Sequence, residues 1–297
     1  MSEIKKHISV VETDNGHGIL SYLTMEMSDK LSPEGFPEMG LKMKTKHVEL
    51  ETHQVKSVIN SEQMQDLEAM GINTLDTLNS TLLNESEMGQ EKQIYKKMKL
   101  LGYESNRKLW TRFENFAHKW TGYVPMLDIS KSGVLLRKVN FMSQIIASTS
   151  RLGPANFVII GPCLLEYFIT DPGFVHIQHD SALNPGKIYM CGTYRDQVQV
   201  LVNPGLLWTD KRMVIGRDSS PQNEGVFLVE HKEGSVFDKR EYVNPTFLTP
   251  MIEMVLRKRY ALTHTQNAAK NYITLTCSNK KHNVLTHIIE KYFKKKK

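Results

Sequence analysis

The sequence predicts an α+β fold. Helical spacing governs residues 61–101 and 132–152, while alternating or continuous apolar strand runs govern most of 171–276. The 297 residues correspond, at about 150 per domain, to one large or two modest domains. With 40% hydrophobic residues the chain can bury a full core and is not disordered by composition.

The stretch Gly225 to Leu262 organises the rest. Gly225 opens the apolar run Val226-Phe227-Leu228-Val229, which reads as a buried strand. A polar loop with two prolines, Pro245 and Pro250, follows. From Ile252 the positions separate with period two. Ile252, Met254 and Leu256 fall on one face; Glu253, Val255, Arg257 and Arg259 fall on the other. A strand with one covered and one charged face suits a plate packed against neighbours better than a catalytic pocket.

In chain order, residues 1–60 carry few periodic signals. Glu12 to Gly16 and Ser32 to Pro37 are turn clusters. Between Leu41 and Val58 charged and apolar residues mix, with Lys42, Lys44 and Lys46 alternating against Leu41, Met43 and Thr45. This reads as an extended hairpin arm that cannot bury much against its own domain and gains its contacts from a neighbouring subunit; a mobile N-terminal tail is the alternative. Ser61 is the expected N-cap of a helix whose face carries Met64, Leu67 and Met70 and which Gly71 ends. Leucines 75, 78 and 82, then Ile94, Met98 and Leu101, continue a long helical system expected to be interrupted, with Gly89 as a kink.

Trp110, Phe113, Phe116 and Trp120 lie close together in an irregular stretch. They suit a core or a subunit contact, with base stacking as the alternative. Leu135, Val139, Met142 and Ile146 mark a helix that Gly153-Pro154 stops. Asn156 to Ile160 is an apolar strand leading into a short helix with Pro162 in its first turn. Strands are expected at 188–190, 197–202, 213–216 and 272–276, and a final amphipathic helix carries Val284, Leu285, Ile288, Ile289, Tyr292 and Phe293.

The formal net charge is +6, a mild excess that partly resides in Lys294–Lys297. Those cations suit a helix C-terminus and solvent; a membrane, an acidic partner or nucleic acid is the alternative. No apolar run approaches the ~18 residues of a membrane span, and the N-terminus lacks the apolar core of a signal peptide. Cys163, Cys191 and Cys277 are odd in number and far apart, and read as reduced buried thiols.

Motifs for chemistry are absent: no GxxxxGK[ST], GxGxxG, GxSxG or HExxH occurs. His176 and His179 beside Asp180 could pair on a metal, but satisfied loop histidines explain them better. Cys163 sits at a helix start, which favours a thiolate, yet its apolar neighbours argue for burial. No catalytic residue, cofactor or metal is assigned.

The order of segments carries a resemblance. Ser148 to Ile160 looks like the helix end and strand that open the apical domain of tailed-bacteriophage major capsid proteins, T-even type, within the Hong Kong 97 shell fold. Met39 to Ile59, followed by Ser61 to Met70, resembles the returning strand of their extended loop and the run into the spine helix. Arg212 to Gly216, Glu224 to Phe227, and Pro245 to Leu262 resemble the closing part. The series covers about residues 39–276, and no single motif is diagnostic.

The resemblance implies a Hong Kong 97-type capsid fold with an N-terminal arm (1–28), an extended loop (29–60), a peripheral domain (61–111 and 226–276), an apical domain (112–225), and a C-terminal helix with a basic tail (277–297). It implies a non-enzymatic shell subunit of the virion, assembled in the host cytoplasm. Its partners would be other copies, scaffolding and portal proteins, decoration proteins, and double-stranded DNA held by non-specific charge, with no membrane. Subunit contacts are expected at Lys42, Lys44, Lys46, Glu49, Glu51, Arg257 and Arg259. The chain is short for a T-even-type head protein, so an insertion on the extended loop is expected to be missing. The sequence as read starts without the family's long charged scaffolding segment, so scaffolding is expected to be a separate protein or assembly to follow another order, and maturation by a prohead protease is in question. A vertex protein or an encapsulin-like shell shares the fold. A basic nucleic-acid-binding protein using the aromatics and the lysine tail is the reading from another class, and an enzyme using Cys163 or His176 is the third.

Overall fold

The computed structural model describes residues 3–14, 16–31, 37–112, 126–128, 134–170, 173–177, 186–194, 197–207, 210–219, 224–243 and 249–278. In chain order the elements are β1 (Ser9–Thr13), β2 (His17–Leu31), β3 (Pro37–Glu49), β4 (Glu51–Asn60), α1 (Ser61–Ala69) and α2 (Thr74–Arg112). Then come β5 (Met126–Asp128), α3 (Val134–Ser150), β6 (Phe157–Ile160), α4 (Pro162–Ile169), β7 (Phe174–His176), β8 (Tyr189–Tyr194) and β9 (Val198–Val202). The last are β10 (Arg212–Gly216), β11 (Val226–Val243), β12 (Pro250–His264) and β13 (Tyr272–Ser278). The chain divides into two compact units. One comprises Met1–Met98, Asp180–Tyr189 and Asp218–Asn271; the other comprises Lys99–His179, Met190–Arg217 and Tyr272–Lys297.

The first unit is built on a sheet of order β1-β11-β12-β4. β11 and β12 form a long antiparallel hairpin, from Val226↔His264 out to Val243↔Pro250. The apolar run ending near Glu230 predicts a polar loop after it; the strand instead runs on to Val243. The signal is masked by a bulge. Pairing jumps from Glu230↔Tyr260 to Ser235↔Lys258, so His231 to Gly234 face a single residue, and Gly234 takes φ +68. A charged, glycine-ended bulge looks like a turn in sequence.

The alternation expected on β12 is present: Ile252, Met254 and Leu256 are buried. They pack with Leu82, and with Leu75, Leu78 and Met64 beside them, so α1 and α2 cover that face. Strand parity places Ala261 on the opposite face. There Phe227 and Val229 pack with Leu20, Tyr22 and Val48, the base of a separate two-stranded ribbon made by β2 and β3. α1 is capped by Asn60, whose side chain accepts from the Glu62 N–H, and not by Ser61. Met70 is exposed, not part of the apolar face, and Gly71 ends the turn at φ +80. α2 is continuous through Gly89, with no interruption between 74 and 101.

The N-terminal arm expected at 1–28 is not one element. A 3-10 turn at Glu3–His7 and strand β1 lie on the body, with Ile4 and Ile8 at 0% and 5% exposure. β1 adds to β11 in parallel, Ser9↔Phe227 through Thr13↔His231, and β4 closes the opposite side of the sheet on β12. The expectation that the first sixty residues bury little within one copy is therefore wrong for 3–9, whereas 51–60 pair with β12 but hold no buried residue. Their partners lie some two hundred residues downstream, where local pattern cannot point to them. Residues 1–28 also contain Leu20 and Tyr22, so their removal would open the core and not merely free an arm.

The second unit holds a seven-stranded sheet of order β5-β13-β10-β6-β9-β8-β7. Its centre, β6, β9 and β10, is apolar on both faces: Phe157 to Ile160, Val200 to Val202 and Met213 to Ile215 are all buried. α3 contributes Val139, Met142 and Ile146 to the core, as its spacing predicts. Arg151 and Gly153 take positive φ and stop the helix. α4 starts after Gly161 with Pro162 in its first turn. β13, which the resemblance puts in one domain with β12, pairs with β10 and β5, and the second compact unit takes up the chain again from Tyr272.

Within this unit the last turns of α2 lie directly on β13. Asn106 donates to the Thr274 carbonyl, and the Thr274 hydroxyl donates to the Lys99 carbonyl at 2.9 Å. A Cβ on Gly102 would meet the Thr274 hydroxyl and come within 2.8 Å of its backbone nitrogen. Gly102→Ala must push helix from strand, and is expected to cost about 1–3 kcal/mol by overpacking. A midpoint shift in urea unfolding checks this, with Gly89→Ala as a control because nothing lies within 4 Å of that site.

Candidate assembly interface

Two long hairpins carry most of the exposed, strand-forming backbone of the first unit. The ribbon β2–β3 pairs from His17↔Glu49 to Met27↔Met39 and again at Leu31↔Pro37. Among the described residues it joins no larger sheet. The cluster that holds its base involves Leu20, Tyr22 and Val48, and Thr24 is buried beside them. Ile19 and Met43 are exposed on it. A two-stranded ribbon of 15 and 13 residues is marginal by itself and needs a surface to lie on.

The second hairpin is the outer half of β11–β12. β1 covers the edge of β11 only as far as His231, and among the described residues no strand covers Ser235 to Val243. That half exposes Val236, Phe237, Tyr242 and Val243. An uncovered edge with apolar side chains is what an adjoining chain can extend or cover.

The charged residues expected at subunit contacts fall into three groups. Lys44 Nζ donates to Gln266 Oε1 at 3.1 Å and Lys46 Nζ to the His264 carbonyl at 3.2 Å, so the base of β3 is tied to the turn after β12. Lys42, Glu49, Glu51 and Arg259 are exposed, and Glu51 lies 3.8 Å from His53. Arg257 pairs with Asp238 across the hairpin at 3.1 Å. Lys239–Glu241 is a further exposed pair, worth little on its own, and Lys56 reaches a half-buried Glu253 at 2.7 Å.

Sequence reasoning missed the polar hub beneath this surface. Glu230 Oε1 accepts from Lys5 Nζ at 2.9 Å and from Gln90 Nε2 at 2.7 Å, and lies 3.3 Å from Lys258 Nζ. The turn before β1, helix α2 and strand β12 thus meet on one carboxylate. Burial alone would push the Glu230 carboxyl up, but the charges of Lys5 and Lys258 outweigh it and hold the group below the usual carboxylate range. Burial, aided by Lys5, lowers the Lys258 ammonium despite Glu230. No local signal could have joined positions 5, 90, 230 and 258. Nearby, His7 Nδ1 lies 2.6 Å from Asp218 Oδ1 and fastens the same turn.

Groups suited to chemistry are scattered. Cys191 is buried and its thiol is pushed up to about 12 by burial; burial also raises Cys163. Neither environment favours a thiolate. His176 is exposed on β7, while His179 and Asp180 lie outside the described residues, as do Phe113, Phe116, Trp120, the side chains of Cys277 and Trp110, and the expected C-terminal helix with Lys294–Lys297; Trp110 itself lies on α2 and not in an irregular stretch. No helix among the described residues is long and apolar enough to cross a membrane.

A four-stranded platform under a long helix, a separate ribbon and a second mixed sheet make a mixed helix-and-strand fold of the Hong Kong 97 type. A solved structure of Microbacterium phage Oxtober96 aligns with 93% of this chain and 91% of its own at TM-score 0.56 and 12% identity. The capsid structure of cyanophage P-SCSP1u aligns with 94% and 89% at TM-score 0.52 and 9% identity. A structure of Mycobacterium phage Cain aligns with 94% and 91% at TM-score 0.52 and 10% identity. At these identities the likeness establishes the fold alone. The family model of major capsid protein Gp23 matches residues 3–293, and the chain belongs to that family. It is a structural capsid protein of a bacteriophage, in a family that is generally non-enzymatic. No curated protein matches the sequence.

Proposed function

We propose that this chain assembles into hexamers and pentamers that close an icosahedral phage head around double-stranded DNA. The first unit serves as the peripheral domain, and the second as the apical domain around the local symmetry axis. The ribbon β2–β3 is the extended loop, beginning near His17 and not at residue 29. The observation that carries the reading is this ribbon: its ladder continues to Leu31↔Pro37, beyond the cluster at its base, and among the described residues it belongs to no larger sheet. A neighbouring subunit supplies the missing support.

The exposed charges Lys42, Glu49, Glu51 and Arg259, with Lys44, Lys46 and Arg257 beside them, lie along that contact. Scaffolding and portal proteins set where the shell starts, decoration proteins bind outside, and assembly runs in the host cytoplasm. The interior meets DNA through non-specific charge. The test is negative-stain microscopy and analytical ultracentrifugation of the full chain, expressed alone and with its phage's scaffolding protein. Megadalton particles or free capsomers are expected. A strict monomer at high concentration in both preparations overturns the reading.

A further inference from the structure

β11 leaves one backbone edge of the first unit open. β1 pairs with it from Phe227 to His231, the bulge follows, and from Ser235 to Val243 it pairs only with β12 among the described residues. An edge of this length is a template for another strand. Charged side chains on such an edge usually discourage pairing; here their order suits one particular partner. The segment Val236-Phe237-Asp238-Lys239-Arg240-Glu241-Tyr242-Val243 runs apolar, aromatic, acid, base, base, acid, aromatic, apolar, and so reads alike from either end. All four apolar and aromatic residues in it are exposed. A strand that pairs antiparallel with its own copy meets itself reversed.

A two-fold pairing must centre on a residue facing its own image, because hydrogen-bonded and non-bonded pairs alternate along the ladder. Centred on Arg240, Lys239 faces Glu241 and Phe237 faces Val243, but two arginines meet at the axis. Centred on Lys239, Asp238 faces Arg240 and Val236 faces Tyr242, and two lysines meet. Partners within the chain decide between these. Lys239 has Glu241 at 2.8 Å in its own strand, so each lysine brings its counter-charge to the axis. Arg240 makes no ion pair with a described residue: Glu253, directly opposite it on β12, is taken by Lys56 at 2.7 Å. Arg240 therefore gains from an aspartate of the copy and is repelled by its own image. Lys239 is also the midpoint of Ser235 to Val243, so this register uses the whole open edge and stops short of β1.

We infer that β11 of two copies pairs antiparallel about Lys239, Ser235 to Val243 against Val243 to Ser235, and joins two four-stranded platforms into one continuous sheet. Phe237 and Lys239 lie opposite Leu256 and Met254, on the face that α1 and α2 cover, so Asp238, Arg240, Val236 and Tyr242 lie on the other. There the two Asp238–Arg240 pairs fix the register and the two Val236–Tyr242 pairs flank them. The pairing rests on the shell-assembly reading for its supply of copies, and adds to it a two-fold contact between named strands.

Disulfide trapping in particles of the full chain tests it, with the native cysteines kept and wild type as the blank. Lys239→Cys places one thiol on each side of the axis, where paired Cα atoms lie about 4.5–5.5 Å apart, within reach of a disulfide. Arg240→Cys sets the two thiols two residues out of register, about 8 Å apart and out of reach. Mild oxidation is expected to give about tenfold or more disulfide dimer for Lys239→Cys than for Arg240→Cys. Arg240→Glu sets acid against Asp238 twice and is expected to lower particle yield about tenfold or more, while Arg240→Lys stays within about twofold of wild type. Unassembled Arg240→Glu is expected to melt with wild type; if it melts lower, the cysteine pair alone decides. A cysteine variant that fails to assemble is co-assembled with wild type and its dimer read there. Equal dimer from both cysteine variants, or none from either, overturns the pairing while the shell reading stands, as does a stable Arg240→Glu that assembles like wild type. If wild type itself never assembles, the shell reading fails, and the trap is read on the concentrated free chain, where a Lys239→Cys dimer supports the pairing and its absence removes it.

Discussion

Replacing residues 25–41 with an Asn-Gly turn is expected to abolish shells while leaving a folded subunit. The cut falls after Thr24 and before Lys42, which face each other in the ribbon. A two-residue Asn-Gly turn suits hairpin closure at that point. Leu20, Tyr22 and Val48 remain to pack on Phe227 and Val229, so the first unit keeps its core. The Thr24 hydroxyl still donates to the Lys42 carbonyl, at 3.2 Å in the intact ribbon. What disappears is the length of ribbon that extends past this anchor. Particle yield by sucrose gradient should fall to background, and far-UV dichroism and melting should change little. Shells of normal size from this variant would remove the ribbon from any role between subunits.

Glu230→Ala is expected to be the most destabilising single change, at about 3–5 kcal/mol. It leaves Lys5 and Lys258, with side chains only 10% and 13% exposed, facing each other without the carboxylate between them. Glu230→Gln should cost less, because its amide oxygen can still accept from Gln90 or a lysine. The pH dependence follows from the direction of the shift. The folded value lies below the unfolded one, so the stabilisation is complete above the ordinary glutamate value of about 4.3 and is lost as pH falls through the lower folded value. Melting temperatures measured from neutral pH down to pH 3 should drop for wild type at the acid end, and the share of that drop due to Glu230 should vanish in Glu230→Gln. An Ala variant as stable as wild type would mean that the hub contributes nothing.

Much of the fold was legible because its central strands are apolar runs punctuated by glycine and proline. Phe157 to Ile160, ended by Gly161-Pro162, and Val226 to Val229, opened by Gly225, announce themselves. α3 did so by spacing alone. The outer half of β11 was hidden by its bulge, whose His231-Lys232-Glu233-Gly234 reads as a turn. β1 was hidden because its partner is β11, and a five-residue strand gains its meaning only from that pairing. The hairpin lysines were legible as an alternation, but their acceptors at 264 and 266 were not. Asn60 took the cap from Ser61 because the polar side chain just outside the first turn reaches the free N–H groups first.

The parallel seating of β1 on β11 also governs when this protein can fold. Ser9 waits for Phe227, and β4 waits for a strand that ends at His264, so the platform cannot close until most of the chain has left the ribosome. Contacts this distant in sequence make folding slow and leave strand edges bare in the interim. A nascent chain of this kind is most at risk of sticking to its siblings during synthesis, which gives folding helpers in the host a task before any shell is begun.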